Sequence, residues 1–351
     1  WDGRRRKPSK MASNEPSIGI SKTVRGGNLR ARRYTRESAL ASRKPSTAAV
    51  ADRSILVAGK SGQLARCLRD AATQRNVWLA TVGRPDLDLE SSAGIDDLVA
   101  AIAPTAIINA AAYTAVDRAE AEPESASMIN RDGAARLASA AKRRAIPFVH
   151  ISTDYVFSGD KLSPYQEADI PAPLNAYGRS KREGEIAVLD AYPRAVVIRT
   201  SWLYSPYGHN FVRTMLRLST TRTSVRVVND QRGTPTSASD LANGLLDIVQ
   251  QLDVDRGGDT AGIYHLAGQG ETTWYGFAEA IFANLARRGQ PVPRLQDITT
   301  DEYPTPARRP QNSCLDSGNA GRVFGVRLAP WQASLERCLD HLAMQMESPA
   351  C

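Results

Sequence analysis

The sequence predicts an α/β protein: a Rossmann-type doubly wound parallel sheet with a smaller C-terminal substrate-binding lobe. Three observations predict it. Short apolar runs alternate with helical stretches between Ser54 and Thr200, the pattern of parallel strands joined by crossover helices. The first run opens into a Gly-x-x-Gly-x-x-Ala turn at Gly59, Gly62 and Ala65. A later run, Phe148 to Ile151, ends at Ser152-Thr153, and a loop leads from it to Tyr177-x-x-x-Lys181 at the head of a polar helix.

The elements follow in order. Ile55, Leu56, Val57 and Ala58 form a buried strand, and Leu64 to about Gln74 a helix. The turn between them directs backbone N–H groups and a helix N-terminus at a pyrophosphate. It lacks the Gly-Lys-Ser/Thr ending of a nucleotide-triphosphate loop. A second strand spans about Val77 to Val82 and ends in Gly83-Arg84-Pro85, where an acidic residue commonly holds an adenosine ribose. Arg84 there either meets a 2′-phosphate, which favours NADPH, or is a solvated loop residue. Asp88-Leu89 lies in a polar loop within reach of the adenine.

A short helix, Ile95 to Ile102, precedes the strand Ala106 to Asn109. That strand leaves into Ala110-Ala111-Ala112-Tyr113, small residues that admit either a flat cofactor ring or a close helix contact. Pro123 to Arg143 is predicted as one long amphipathic helix containing Asn130. The helix begun at Tyr177 runs to about Leu189, and the strand Ala195 to Ile198 opens into Arg199-Thr200-Ser201-Trp202. Trp202 at a strand exit either stacks on a ligand ring or packs in the core.

Beyond 205 the pattern loosens. Helices are predicted at about 210–218, 238–251, 273–288 and 332–346, strands at 225–228 and 262–266, and a Pro-rich loop at 303–312. The expected division is therefore 1–53, a disordered basic extension; 54–204, a dinucleotide-binding domain; and 205–351, mainly a substrate-binding lobe with part of its chain returning to the first domain.

Composition narrows the function. Hydrophobic residues at 42% and charged residues at 23% describe a globular chain, and no apolar run approaches the ~20 residues of a membrane span. The net charge of +8 resides in the head. Residues 1–53 carry 14 Lys/Arg and 4 Asp/Glu, the remainder 31 and 33, so the folded part is no nucleic-acid binder by charge. For the head, a mis-assigned start is expected, since Trp1 opens the chain and Met11 follows; a transit peptide and a phosphate-binding tail are the alternatives. Four Cys without metal-ligand spacing point to a reducing compartment, hence the cytoplasm. The four His are scattered, and His150 reads as a satisfied core residue.

Tyr177, Lys181 and Thr153 suit hydride transfer to a carbonyl. Residues four apart on a helix share a face. A free phenol has a pKa of about 10, and bringing it to about 7 takes roughly 4 kcal/mol. A Lys ammonium about 4 Å away at an effective dielectric of about 20 supplies on the order of that. Lys181 also suits a nicotinamide ribose, and Thr153 suits the carbonyl oxygen. Asp154 suits a loop cap better than an acid.

These features resemble the extended short-chain dehydrogenase/reductases. The matching segments are GKSGQLA, INAAAYTAVDRAEAEP, ISTDYVFSG, PLNAYGRSK, RTSWLYS, NDQRGTPTSA, YHLAGQGETTWYGFA and YPTPARRPQNSCLD, in order over roughly 54–346. The last two belong to a nucleotide-sugar branch of that superfamily. The resemblance implies Thr153, Tyr177 and Lys181 as the catalytic set. It implies Gly59, Ser61, Gly62, Gln63 and Leu64 as the pyrophosphate turn, with Arg84, Asp88, Leu89, Ala110, Ala111 and Tyr113 as further cofactor contacts. Asp154, Tyr155 and Trp202 would face the nucleotide-sugar, with Arg308 and Arg309 on its diphosphate. The implied reaction reduces the C4 ketone of dTDP-4-dehydro-β-L-rhamnose with NADPH, or NADH, to dTDP-L-rhamnose for cell-surface polysaccharide.

Two departures stand out. Ala65 replaces the third glycine, and Cys67 stands where some relatives carry a Glu that helps bind a metal at a dimer interface, so no metal is expected and the chain is read as a monomer or a different homodimer. The rival readings are a reductase of another nucleotide-activated 4-keto-sugar and a non-catalytic NADP-binding subunit of the methionine adenosyltransferase type. An intact Thr153/Tyr177/Lys181 set speaks against the second.

Overall fold

The first strand, β1 (Ser54–Ala58), sends alternate side chains to opposite faces. Ile55 and Val57 pack with one layer of helices, Leu56 and Ala58 with the other. All but the first of these five residues are fully buried, as a central parallel strand requires. The computed structural model describes residues 54–91, 93–252 and 260–347, without the side chains of 346 and 347. The readings of residues 1–53 lie outside the described residues.

Around β1 stand β2 (Trp78–Val82), β3 (Ala106–Asn109), β4 (Phe148–Thr153) and β5 (Val196–Thr200), with the strand Gly262–His265 on the far edge. Every pairing is parallel. Read across the sheet, the order is Gly262–His265, β5, β4, β3, β1, β2. The chain winds outward from β1 to β2, then returns to lay β3 on the other side of β1. That reversal between β1 and β3 is the topological switch point, where doubly wound sheets bind ligands beyond their carboxyl ends. The registers align Ala58 with Asn109 and Thr153 with Thr200, so these strand ends share one edge.

Helices Gln63–Gln74, Ala238–Gln251 and Gly318–Phe324 cover one face. Helices Ile95–Ile102, Ala134–Arg143 and Ala176–Ala191 cover the other. A separate core holds the lobe. Helices Phe211–Thr221, Trp274–Arg287 and Trp331–Glu347 enclose Phe277, Ile281, Trp331 and Leu335 beside the parallel pair Ser224–Val228 and Arg294–Ile298.

Three features differ from the sequence expectations. The long helix is α-helical over Pro123–Ser127, a π-segment over Met128–Gly133, and α-helical again over Ala134–Arg143. The wider turn brings Asn130 inward, where its Oδ1 accepts the Tyr113 N–H at 2.8 Å and its Nδ2 donates to the Tyr113 carbonyl at 3.1 Å and Ser180 Oγ at 2.9 Å. Periodicity alone does not show a π-turn, because its apolar spacing mimics an α-helix with one residue added. Strand Arg294–Ile298 went unpredicted because it is mostly polar and pairs on one side only. Helix Gly318–Phe324 carries two poor helix formers, Gly318 and Gly321, and is held by burial of Ala320 and Phe324, the latter edge-on to Tyr264 at 4.8 Å.

Candidate active site

The turn expected to take a pyrophosphate begins at Gly59, whose φ of +123° is a left-handed conformation open to glycine. Its N–H donates to the Val82 carbonyl at 2.7 Å, tying the turn to β2. A Cβ on Gly59 would lie 3.4 Å from the Ala110 backbone, so the turn and the exit of β3 converge at the switch point. Gly62 is the extended N-cap of helix Gln63–Gln74 and carries no side chain into the mouth of the turn. A cradle of bare backbone N–H groups at a helix N-terminus fits a dinucleotide pyrophosphate. Ser61 is exposed, while Leu64 turns into the core. The Gln63 side chain faces the lobe, its Oε1 accepting from Ser205 Oγ and Asn210 Nδ2 at 2.9 Å each. Gln63 and Leu64 thus present only their backbone to the turn.

Beyond β2, Arg84 is 60% exposed and paired with Asp88 at 3.1 Å and Glu90 at 3.0 Å. The Asp88 carboxylate also accepts the Glu90 N–H, which with Arg84 holds it below its usual range. Leu89 is buried under Gly133. Beyond β3, the Ala111 N–H donates to Asn109 Oδ1 at 3.2 Å, and the Tyr113 hydroxyl donates to Glu122 at 2.8 Å.

Thr153 ends β4, buried, at the same edge. Its hydroxyl donates to Asp154 Oδ1 at 2.9 Å and accepts the Tyr155 N–H at 3.2 Å. Tyr177 lies in the first turn of helix Ala176–Ala191, capped by Asn175 Oδ1, which accepts the Gly178 N–H at 2.7 Å. The Thr153 side chain is near enough to pull the Tyr177 phenol down, and the Tyr177 ring meets Tyr155 edge-on at 5.8 Å. Lys181, one turn on, is 2% exposed and donates to the Ile151 carbonyl at 2.6 Å. The three residues therefore meet at the end of β4.

The electrostatics correct one expectation. Lys181 was expected to draw the Tyr177 phenol down. Instead burial pushes Tyr177 up to about 12; Thr153 opposes this, and Asp154 adds to it. The Lys181 amine is directed at Ile151 and His150, and burial lowers it to about 8 against the pull of Glu185. Desolvation outweighs the attraction because both groups stand in a water-poor layer. Asp154, also buried, is raised to about 6 by desolvation although the Thr153 hydroxyl donates to its Oδ1; its Oδ2 has no hydrogen-bond partner among the described residues.

The helix and the turn that follows β4 meet closely here. A Cβ on Gly178 would lie 2.2 Å from the Tyr155 carbonyl oxygen. Gly178→Ala is expected to push the head of the helix, and Tyr177 with it, away from Thr153. The expected cost is about 1–3 kcal/mol of stability, together with a lower kcat; a thermal melt and a rate assay on the variant check it.

Two residues expected to face the substrate have partners within the protein. Arg309 was assigned to a diphosphate, but its guanidinium is bidentate on Asp117 at 2.6 and 2.8 Å and also donates to the Ala307 carbonyl. That pair, with the Ala307 N–H on Asp117 at 3.1 Å and Asn175 Nδ2 on the Arg308 carbonyl at 2.8 Å, ties the loop 303–312 to the site. Arg308 is exposed and, among the described residues, has no charged partner. Trp202, partly exposed, stacks on Trp274 at 3.5 Å and 7°, and Gly233 packs so closely on the indole that a Cβ there would lie 2.2 Å from it, so the ring is already covered on its faces. Its φ of +44° is rare for a bulky residue and is held by that stack.

A buried ion pair supports the edge from below. Glu185 bonds both nitrogens of Arg199 at 2.7 Å and accepts from Ser152 Oγ at 2.6 Å and Arg182 at 2.9 Å. It joins the Tyr177 helix to β4 and β5. The sequence reading missed this pair, Asp117 and Trp274. Asp117 and Trp274 lay inside matched segments, while nothing in the spacing of Glu185 and Arg199 announces their contact.

Fold and edge together define a class: a Rossmann-like oxidoreductase with a place for a nicotinamide cofactor. A family model described as RmlD substrate binding domain matches residues 53–344. A dTDP-4-dehydrorhamnose reductase of Sinorhizobium fredii is 44% identical over 291 residues, covering 83% of this chain and 98% of its own. Among solved structures, a dTDP-4-dehydrorhamnose reductase from Clostridium acetobutylicum has a TM-score of 0.77 at 36% identity, covering 83% of this chain and 100% of its own. One from Bacillus anthracis, in complex with NADP, has a TM-score of 0.76 at 34% identity, covering 82% and 99%. The chain belongs to the RmlD substrate binding domain family, that of the dTDP-4-dehydrorhamnose reductases. It is an oxidoreductase of that family. Among the described residues, no helix is long and apolar enough to cross a membrane.

Proposed function

We propose that this chain reduces the C4 ketone of dTDP-4-dehydro-β-L-rhamnose to dTDP-L-rhamnose in the cytoplasm, as a monomer or homodimer, with NADPH as the preferred cofactor. The observation that carries the reading is the meeting of Thr153, Tyr177 and Lys181 at the end of β4, beside the switch point. A nicotinamide cofactor, when bound, would supply hydride chemistry at this edge. Tyr177 donates its phenolic proton to the C4 oxygen, and Thr153 holds that oxygen by hydrogen bond. Held at about 12, Tyr177 is protonated at neutral pH and can act as the acid. Lys181 binds the nicotinamide ribose and carries the positive charge that stabilises the phenolate. Gly59, Ser61, Gly62, Gln63 and Leu64 take the pyrophosphate, Asp88 and Leu89 the adenine side, and Ala110, Ala111 and Tyr113 the cofactor wall. Asp154, Tyr155, the exposed edge of Trp202 and Arg308 take the nucleotide-sugar, between the 54–204 half and the lobe. Arg309 orders the loop that carries Arg308.

The pH dependence follows from Lys181. Its pKa is lowered to about 8, so its charge is present below that value and lost as pH rises through it. Turnover at saturating substrates is expected to decline above about pH 8. A rate flat to pH 10 would take the Lys181 charge out of the mechanism.

For the cofactor, Arg84→Ala is expected to raise KM for NADPH on the order of tenfold, the worth of one charge-assisted hydrogen bond, and to leave KM for NADH unchanged. Equal effects on both would remove Arg84 from the 2′-phosphate. The decisive assay follows NADPH and NADH absorbance with dTDP-4-dehydrorhamnose made in situ. Oxidation yielding dTDP-L-rhamnose supports the reading. Tight NADPH binding without oxidation turns the search to other 4-keto-sugars.

A further inference from the structure

His150 has a more specific environment than a core histidine needs. It is fully buried on β4. Its Nδ1 lies 3.0 Å from Asn109 Nδ2, and its Nε2 lies 3.4 Å from Lys181 Nζ. One orientation of the Asn109 amide serves both its contacts. Oδ1 accepts the Ala111 N–H, so Nδ2, a donor, faces the imidazole. Nδ1 therefore offers its lone pair, and the imidazole proton sits on Nε2. That N–H is directed at the Lys181 amine. An ammonium has donors only, so the charged form sets donor against donor, whereas a neutral amine accepts the bond. The imidazole stays neutral, held well below its usual range by burial and by Lys181.

We propose that His150 is a positioning residue for Lys181: with its tautomer set by Asn109, its Nε2–H holds the amine against the Ile151 carbonyl and favours the uncharged form. His150 thereby adds to burial in lowering the pH at which the site loses its positive charge. The remaining groups around the amine do not supply this effect. Glu185, on the same helix, favours the charged form and is itself neutralised by Arg199 from β5 and by Arg182. Tyr177 is protonated, Asp154 is turned to Thr153, and β3 contributes only the uncharged Asn109. The chain Ala111–Asn109–His150–Lys181 also links the proposed cofactor wall to the proposed catalytic amine.

The inference rests on the reading of Lys181 as catalytic, and the experiment separates the two. NADPH oxidation is followed against pH in the full chain, in His150→Gln and in Asn109→Leu. His150→Gln can turn an amide oxygen toward the amine. Asn109→Leu leaves the imidazole in place but frees it to move its proton to Nδ1. Each is expected to move the alkaline limb of kcat upward by about one pH unit, a tenfold change in the Lys181 equilibrium. A purely structural role would lower the melting temperature and leave the limb where it was. An unmoved limb in whichever variant folds overturns the proposal. Lys181→Met is the control. An inactive Lys181→Met with an unmoved limb in the other two removes only His150's role. An active one removes Lys181 from the catalytic set and the proposal with it.

Discussion

Tyr177→Phe is expected to lower kcat by about 10²–10⁴-fold, the usual worth of a positioned general acid, with NADPH affinity changed less than twofold. The change removes one oxygen. The ring keeps its edge-on contact with Tyr155, and the helix keeps its Asn175 cap, so folding is expected to be unaffected. Lys181 remains in place through Ile151. Thr153 keeps Asp154 and the Tyr155 N–H. Cofactor titration by fluorescence and stopped-flow absorbance measure the two properties separately. A kcat within threefold of wild type would remove Tyr177 from the acid role and leave Asp154, raised to about 6, as the next proton donor to test.

Glu185→Gln is expected to give the largest loss of stability. Glu185 and Arg199 are 0% and 1% exposed at their side chains, so the substitution leaves a guanidinium buried without its counter-charge. Breaking a buried pair from one side costs about 3–5 kcal/mol, which in a chain of this size is a fall in Tm of roughly 6–15 °C. The pair contributes specificity of arrangement as well. Through Ser152 and Arg199 it sets the Tyr177 helix against β4 and β5, so activity should fall with stability. The pH dependence has a definite sign. Burial pulls the Glu185 carboxyl up, but Arg199, Ser152 and Arg182 outweigh it and leave the carboxyl below its ordinary 4.5. Its contribution is therefore complete above about pH 4.5 and is lost as pH falls through the lower folded value. The Tm gap between wild type and variant should close in acid. A gap of under 2 °C at pH 7 would mean that Arg199 finds another partner; His265, whose Nε2 lies 3.5 Å away, is the nearest candidate.

Much of this protein was legible in one dimension. Buried parallel strands are short apolar runs, and β1, β3, β4 and β5 each announce themselves that way, because a strand covered on both faces has no polar side to confuse the pattern. Gly59 and Gly62 mark the turn because a left-handed backbone and an uncluttered helix N-terminus each demand a small residue. Tyr177 and Lys181 were readable as a pair because four residues make one helical turn. Ordered segments across the chain carried the family.

What only the tertiary structure decided is what depends on contacts between distant segments. The π-turn that carries Asn130 leaves no periodic trace. Glu185 and Arg199 are 14 residues apart, and Asp117 and Arg309 are 192 apart. Each pairing follows from how helices and loops dock on the sheet, and it was docking that gave the Arg309 charge to Asp117. The charge states at the site follow the same rule. Spacing places a Lys near a Tyr, but the depth of burial sets their pKa values, and burial pushed Tyr177 up where proximity alone argued down. His150 is the clearest case: a strand residue by sequence, it faces a lysine 31 positions away only because the helix Ala176–Ala191 packs across β4.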